Sequence, residues 1–179
     1  MHSAASQGSG GAVRIERFDP NRHDVATITA LLNAAYAPYV AQGMKYVAAT
    51  QDDAVTREWL ARGIGFVALD GQTLVGTVAY CSAPSASEAA AIEWYRRAHV
   101  GTFGQFAVAP GKQKGGIGIA LLDAVERLAR DEAKIELACE TAAKNAPLVA
   151  YYHRRGFRGV GLFKWPGDEH ACVVLSKIL

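Results

Sequence analysis

The sequence predicts an α+β fold in which a mixed β-sheet of about seven strands is covered by four or five helices. Three observations predict it. Stretches of alternating apolar and polar residues take turns with stretches whose apolar residues recur at helical spacing. Two strand-like stretches flank Asp70-Gly71, a dipeptide that favours a tight antiparallel turn. A helix-like stretch at 117–132 joins two further strands, which indicates a parallel crossover.

The composition is that of a single globular domain. The chain has 179 residues, 50% of them hydrophobic and 20% charged, which is enough for one substantial core. Residues 1–11 are rich in Ser, Gly and Ala and predict a flexible tail, so the domain should span 12–179. The formal net charge is +2 and the basic residues are dispersed. This pattern predicts small ligands and neither a nucleic-acid nor a membrane partner.

The cysteines and the first residues predict a cytoplasmic protein without a metal. Cys81, Cys139 and Cys172 lie far apart, and none has a CxxC partner or a histidine at metal-ligand spacing. Neither a zinc site nor a disulfide framework is therefore expected, and an odd number of thiols is typical of a reducing compartment. The first residues also lack the apolar core of a signal peptide.

The first half of the chain predicts a strand, two helices and a hairpin. The first helix has apolar residues at helical spacing until Pro38, which should end it. The second should end at Gly63 in a left-handed cap conformation. The predicted elements are a strand at 13–18, a helix from Val25, a helix at 53–62 and hairpin strands at 65–70 and 72–82.

The second half predicts an inserted helix followed by alternating strands and helices. Ser85 and Glu88 have the spacing of a capping box, and apolar residues up to Ala98 follow on one helical face. Pro110 should end the central strand, because proline cannot donate to a sheet ladder. After this helix, the predicted elements are strands at 103–110 and 135–140, helices at about 117–132 and 145–155, and strands at 157–163 and 170–177.

Residues 111–122, GKQKGGIGIALL, place three glycines where a helix should begin. In a helix interior three glycines would lower helix stability by about 2–3 kcal/mol. Close packing in a plain tight turn is therefore the weaker explanation for their presence. A glycine-rich turn between a strand and a helix directs several backbone N–H groups at one place, which favours an anion. We expect Gly115 to be left-handed, Gly116 and Gly118 to leave room for a phosphate, and the loop lysines to add positive charge.

Two other phosphate-binding motifs are excluded. A P-loop requires Gly-Lys-Ser/Thr, but Ile117 follows Gly116. A dinucleotide fingerprint requires a third glycine where Leu121 stands. The stretch instead resembles the acyl-CoA pyrophosphate loop of the GCN5-related N-acetyltransferases (GNAT), Gln/Arg-x-x-Gly-x-Gly/Ala, with Gln113, Gly116 and Gly118 at the required positions.

Two further motifs extend this resemblance over essentially Val13–Leu179. Phe106–Pro110 resembles the family's x-x-V-x-P strand end, and Asn145, Tyr152 and Gly156-Phe157 resemble its Asn-x₆-Tyr-x-x-x-Gly-Phe segment. The resemblance implies a GNAT-like acyl-CoA N-acyltransferase fold. It also implies transfer of the acetyl group of acetyl-CoA, without a metal, to a primary amine of a small molecule or peptide.

The resemblance also implies a role for individual residues. The pantetheine arm would pair with backbone groups near Phe106 and Val108 and contact Asn145, although an asparagine at that place is more often a helix cap. Tyr152 would protonate the leaving thiolate, with Tyr151 as the alternative. The cofactor-binding residues so implied are Phe106, Ala107, Val108, Gln113, Lys114, Gly115, Gly116, Ile117, Gly118, Asn145 and Tyr152.

The base that takes the proton of the acceptor amine stays open. Several members of the family carry a glutamate on the strand before the loop, whereas this chain has Gly104-Gln105. Glu140, at the end of the neighbouring strand, and Glu93, in the inserted helix, are the candidate carboxylates. Ordered water that leads to a base is the alternative to both.

Aromatic residues in the less regular segments are candidates for binding the acceptor, because paired aromatics suit an apolar or cationic ligand. For each one taken singly, packing in the core is at least as common. The candidates are Tyr36, Tyr39, Tyr80 and Trp94, with Tyr95 as the alternative to Trp94.

Two functions of other kinds stay open beside the enzyme. The chain could bind acyl-CoA as a sensor without turnover, or serve as an interaction module on the same fold. A homodimer is possible for the enzyme, the sensor and the interaction module alike.

Overall fold

The computed structural model describes residues 12–179, and the tail predicted over 1–11 lies outside the described residues. A seven-stranded sheet forms the centre of the fold, with the strand order β1-β2-β3-β4-β5-β7-β6. The predicted mixed sheet is confirmed: neighbouring strands are antiparallel except β4 and β5, which are parallel. The strands are β1 (Arg14–Arg17), β2 (Ile64–Asp70), β3 (Thr73–Cys81), β4 (Val100–Val108), β5 (Glu136–Ala142), β6 (Arg158–Phe163) and β7 (Cys172–Ile178).

Within residues 12–179, five α-helices and two 3₁₀ turns accompany the sheet. None of the helices in the described part of the chain is long and apolar enough to cross a bilayer. The helices are α1 (Val25–Ala41), α2 (Asp53–Arg62), α3 (Ala86–Ala91), α4 (Ile117–Asp131) and α5 (Ala146–Arg154), and the 3₁₀ turns are Val47–Ala49 and Glu93–Arg96.

The two faces of the sheet bury separate apolar clusters. Successive strand residues point to opposite faces, so Phe66 belongs to the cluster under α4 and α5, whereas Val67 belongs to the cluster under α1 and α2. Leu121 and Val125 on α4 and Leu32 on α1 are fully buried in these clusters. Helices α1 and α4 therefore pack through the apolar stripes that their sequences predict.

Two helix ends differ from the sequence prediction. Pro38 lies inside α1, which continues to Ala41. Because the helix ends within a turn of the proline, the missing N–H removes only one bond near the helix end. Gly63 has an extended backbone with φ −134°, not a left-handed one. A Cβ at Gly63 would lie 2.0 Å from the carbonyl oxygen of Tyr80, so the glycine permits close approach to β3.

The inserted helix is also shorter than predicted. The capping box of Ser85 and Glu88 is present in both directions. The helix nevertheless ends at Ala91, because Ile92 has an extended backbone and the Glu93–Arg96 turn follows. Ile92 is 2% exposed, so burial of this side chain accompanies the break in the helix.

Strands β4 and β5 separate soon after they pair. Their ladder covers only Val100 to Thr102, opposite Glu136 to Ala138. Beyond it, the β3–β4 register shifts so that Gln105 and Phe106 face a single residue of β3, which is a β-bulge. A bulge bends its strand and increases the local twist, so it favours divergence of β4 from β5. This divergence opens the sheet at its centre.

Candidate active site

A cavity of about 550 Å³ lies where β4 and β5 diverge. Both strands contribute to its walls, and α2, α5 and the β6–β7 loop (164–171) close it. The cavity is therefore built from segments distant in sequence that the sheet topology brings together.

One side of this cavity is an unpaired edge of β4. After Thr102 the strand has no ladder with β5. The carbonyl oxygen of Phe106 accepts a hydrogen bond of 2.9 Å from the Tyr36 hydroxyl. The carbonyl oxygen of Val108 accepts a hydrogen bond of 3.5 Å from the side-chain amide of Gln113. The edge leads from the cavity to the glycine loop, and an extended ligand with amide groups can pair along it.

The glycine loop leaves the start of α4 without a side-chain cap. Gly116 is the N-cap residue and is left-handed, with φ +83°. Lys114 is also left-handed, whereas Gly115 is not, so the expectation for Gly115 is wrong. The first N–H groups of a helix have no partner within the helix. With glycine at the cap, those of α4 remain available to an anion.

Gly118 and Lys112 have other roles than the sequence suggests. A Cβ at Gly118 would lie 3.2 Å from both the Phe106 ring and the Tyr151 hydroxyl, so this glycine lets α4 pack closely on β4. The ammonium of Lys112 pairs with Asp70 at 2.9 Å, which ties the loop to the β2–β3 turn. Among Gly115, Gly116 and Gly118, only Gly116 is required by its backbone conformation.

Tyr152 and Tyr151 occupy different environments. Tyr152 lines the cavity with its hydroxyl beside the Cys139 thiol, and burial raises the pKa of Tyr152 well above its ordinary value. It therefore stays protonated at neutral pH and can donate. Tyr151 stacks on Phe106 outside the cavity lining, and its buried hydroxyl has no hydrogen-bond partner among residues 12–179. Of the two tyrosines, Tyr152 is the one that lines the cavity, and its role as proton donor stays a prediction.

Asn145 caps α5, as the alternative interpretation of the sequence expects. Its Oδ1 accepts from the Leu148 amide at 3.3 Å, and its Nδ2 donates to the Tyr46 hydroxyl at 2.8 Å. The side chain is fully buried. Both ends of the amide are used within the protein, and a contact with the pantetheine arm stays a prediction.

Glu140 is a half-buried carboxylate that lines the cavity. Burial raises its pKa above the ordinary value of 4.5, and the nearby carboxylates of Glu88 and Asp168 raise it further. Hydrogen bonds from Cys172 and Trp165 act in the opposite direction. A carboxylate with a raised pKa is a better proton acceptor at neutral pH than an exposed one.

Glu140→Gln should increase stability more at high pH than at low pH. The folded state holds the Glu140 proton more tightly than the unfolded chain does, so unfolding free energy falls as pH rises through the folded pKa. The glutamine variant has no such titration. The difference in Tm between variant and wild type should therefore widen from about pH 5 to pH 8. Glu93→Gln, on the surface, serves as the control, and an equal difference at both pH values would contradict the expectation.

The residues that follow the inserted helix, Glu93 to Tyr95, differ in whether they line the cavity or lie outside it. Glu93 is exposed and does not line the cavity, which argues against a role as base. Trp94 is also outside it: its indole N–H donates to Glu136 at 3.3 Å and its ring stacks under the Arg97 guanidinium. Tyr95 is buried and lines the cavity. Tyr95, the alternative to Trp94, is therefore the one of the two that reaches the cavity. The helix breaks at Ile92, and the 3₁₀ turn that follows gives this segment a different orientation.

Of the remaining aromatic candidates, one lines the cavity and two do not. Tyr36 lines the cavity, whereas Tyr39 lies behind it and packs against Tyr36 and Tyr46. Tyr80 is a core residue, 1% exposed, whose hydroxyl donates to Glu132 at 2.9 Å. Tyr80 and Trp94 therefore lie outside the cavity, because each makes contacts elsewhere, and a role for either in binding the acceptor has no support from this geometry.

Several cavity residues are not singled out by the sequence. Two ion pairs lie on the walls: Lys45 with Asp168 at 2.9 Å and Arg62 with Glu88 at 3.1 Å. Only Glu88 has a local signal, its capping box, and that signal describes a helix end. Other lining residues that the sequence did not single out include Tyr46, Glu58, Trp59 and Trp165.

Comparison with known families decides the identity. The family model described as the Acetyltransferase (GNAT) family matches residues 27–157, which include β4, the glycine loop and Tyr152. The chain belongs to the GNAT acetyltransferase family. A search of curated proteins found no match.

Solved structures share the GNAT fold over almost the whole chain. The ribosomal-protein-alanine N-acetyltransferase from Brucella melitensis has a TM-score of 0.64 and 24% identity, covering 93% of this chain and 99% of that chain. The IAA acetyltransferase from Bacillus cereus has a TM-score of 0.64 and 19% identity, covering 94% and 100%. A GNAT family acetyltransferase from Elizabethkingia anophelis with acetyl-CoA bound has a TM-score of 0.65 and 17% identity, covering 93% and 98%. At these identities the likeness establishes the fold.

The GNAT family uses acetyl-CoA, and the geometry of this GNAT chain fits that molecule. The unpaired β4 edge beyond Thr102 offers backbone groups to amides, and the uncapped start of α4 offers N–H groups to an anion. Tyr152 lies in the cavity beside that edge. The described residues contain no group of three or more His, Cys, Asp or Glu side chains placed to hold a metal.

Gly116→Asp should weaken CoA binding to this GNAT acetyltransferase at least ~10-fold, because a carboxylate would stand at the helix start where a pyrophosphate is expected. Gly116→Asn is the matched control, since it imposes a similar backbone cost at φ +83° without the charge. Titration calorimetry with CoA measures both. Equal affinities of the two folded variants would contradict the placement of the pyrophosphate.

Proposed function

We propose that this acetyltransferase transfers the acetyl group of acetyl-CoA to a primary amine bound in the cavity between β4 and β5. The observation that carries the proposal is the presence of Glu140 and Tyr152 in one cavity at the unpaired edge of β4. Glu140 has the properties of a proton acceptor, and Tyr152 has those of a proton donor. Acetyl-CoA supplies an activated acyl group with a thiolate leaving group.

Glu140 removes the proton of the acceptor amine. Amines are mostly protonated at neutral pH, and only the free base attacks a carbonyl carbon. A carboxylate whose pKa is raised by burial takes this proton more readily than an exposed one. The polar hydrogens of Cys172 and Trp165 lower the pKa of this carboxyl group and so oppose part of the effect of burial.

Tyr152 gives a proton to the leaving sulfur. Burial raises the pKa of its phenol, so its O–H is retained until a strong base such as a thiolate forms beside it. Contacts with Phe103 and Phe157 fix the ring. A fixed donor loses little conformational entropy on reaching the reactive geometry.

The cavity walls favour a cationic acceptor with apolar parts. Trp59, Tyr95 and Trp165 present aromatic surface, while the carboxylates on the wall outnumber the cations. The carboxylates are Glu58, Glu88, Glu140 and Asp168, and the cations, Lys45 and Arg62, are paired with two of them. Aromatic faces and carboxylates both stabilise an ammonium group.

An acceptor screen tests the function. The purified chain is incubated with acetyl-CoA and a panel of primary amines, free thiol is measured, and the N-acetyl product is identified by mass spectrometry. Amine-dependent thiol release with a matching product is the expected result. Acetyl-CoA binding without product from any amine would contradict the proposal and favour a sensor.

A further inference from the structure

A chain of hydrogen bonds behind the cavity fixes the side chain of Gln105. The Thr56 hydroxyl donates to the Asp52 carbonyl oxygen at 3.2 Å and therefore accepts from Nε2 of Gln51 at 2.7 Å. The same Nε2 donates to Oε1 of Gln105, also at 2.7 Å. The carbonyl end of Gln105 is thus occupied, and its amino end is left to donate elsewhere.

The backbone of Gln105 has an unusual conformation. Its φ is +52°, in the left-handed region that side-chain-bearing residues rarely adopt. It lies in the β4 bulge, where two residues face one on β3. Bulges next to active sites redirect side chains, and residues in such conformations concentrate at functional sites. Both the backbone and the Gln51 contact therefore act on the orientation of one side chain.

Gln105 lines the cavity together with Glu140, one from each of the diverging strands. The two side chains are complementary in chemistry: the Gln105 amino group donates hydrogen bonds, and the Glu140 carboxylate accepts a proton. A ligand that contacts both needs an amine and a hydrogen-bond-accepting oxygen in the same small molecule or peptide end.

We propose that Gln105 is a specificity residue for the acceptor, and that its Nε2 donates to a carbonyl or hydroxyl oxygen that the acceptor carries near its amine. This inference rests on the proposed function. It predicts that amines with such an oxygen, including the ends of peptides and amino alcohols, are preferred over alkylamines of the same shape. A site built to donate a hydrogen bond disfavours a ligand that leaves the donor unpaired.

Matched pairs of amines test the inference by steady-state kinetics. L-alaninamide is compared with 3-methylbutan-2-amine, and ethanolamine with propylamine. In wild type we expect kcat/KM to favour the oxygen-bearing member of each pair about 10-fold, mainly through KM. Gln105→Leu should bring this ratio close to one, with the KM of the oxygen-bearing amine accounting for the change. Gln72→Leu, an exposed glutamine on the β2–β3 turn, should keep the wild-type ratio.

Two further variants keep the test decisive. Gln105→Glu retains an oxygen for the Gln51 contact but removes the donor, so it should also lose the preference even if the leucine variant fails to fold. Gln51→Leu removes the contact that orients Gln105 and should reduce the ratio in part.

Three results would overturn the inference. One is equal kcat/KM for both members of each pair in wild type. Another is an equal loss for both members in the Gln105 variants, since that is the effect of a purely structural residue. The third is absence of transfer to every amine, which would overturn the proposed function as well, whereas transfer without preference overturns only the role of Gln105.

Discussion

Glu140→Gln should lower kcat for acetyl transfer by roughly 10²–10³-fold while CoA affinity stays within about 3-fold. The glutamine has nearly the same shape but cannot accept the amine proton. Of the two carboxylates that the sequence suggested as the base, Glu140 and Glu93, only Glu140 lines the cavity, and its pKa is raised. Steady-state kinetics with an accepted amine and CoA titration measure the two quantities.

The pH profile separates a base from a merely structural carboxylate. In wild type, kcat/KM should rise with pH through the raised pKa of Glu140 and again as free amine accumulates. Glu140→Gln should lose the first rise and keep the second. Glu93→Gln is the matched control at an exposed position and should keep both. A loss of less than about 10-fold in Glu140→Gln would instead favour proton removal through ordered water.

Tyr152→Phe should lower kcat by roughly 10²-fold with CoA binding nearly unchanged. The substitution keeps the ring that packs against Phe103 and Phe157 and removes only the hydroxyl beside Cys139. Without a proton, the thiolate is a poorer leaving group when the thioester breaks. Thiol release at saturating amine measures the effect.

Tyr151→Phe is the matched control, one residue away on α5. Its hydroxyl is buried without a hydrogen-bond partner in the described part of the chain, so removing it should leave kcat within about 3-fold and preserve or raise Tm. If Tyr151→Phe lost activity and Tyr152→Phe did not, the assignment of the proton donor would be wrong.

Local patterns accounted for most of the fold. Alternation and helical spacing gave every strand and helix of the sheet framework, and helix α2 agrees with its predicted range of 53–62. The predicted tight turn is present and Gly71 has a positive φ, but Asp70 does not: it pairs with Thr73, so the turn residues are Gly71 and Gln72. These features depend on neighbours within a few residues, and the sequence contains that information directly.

Errors arose where a distant contact outweighed a local preference. Gly63 is extended, and the carbonyl oxygen of Tyr80 lies 2.0 Å from where its Cβ would be, so close approach to β3 requires glycine there and a left-handed cap does not. Ile92 leaves the helical conformation and is buried in the core. Tyr80 and Trp94 bond to carboxylates outside the cavity, so an aromatic residue near the right segment was not enough to place it at the site.

The sequence by itself determined the mixed sheet, the glycine loop before α4 and the position of Tyr152 in the family motif, because each is recorded in residues close together along the chain. The tertiary structure decided which carboxylate faces the cavity, which aromatic residues line it and how Gln105 is oriented. Those outcomes depend on the divergence of β4 from β5 and on the segments packed across it. Burial and hydrogen bonding between residues distant in sequence set them, and no local pattern records such contacts.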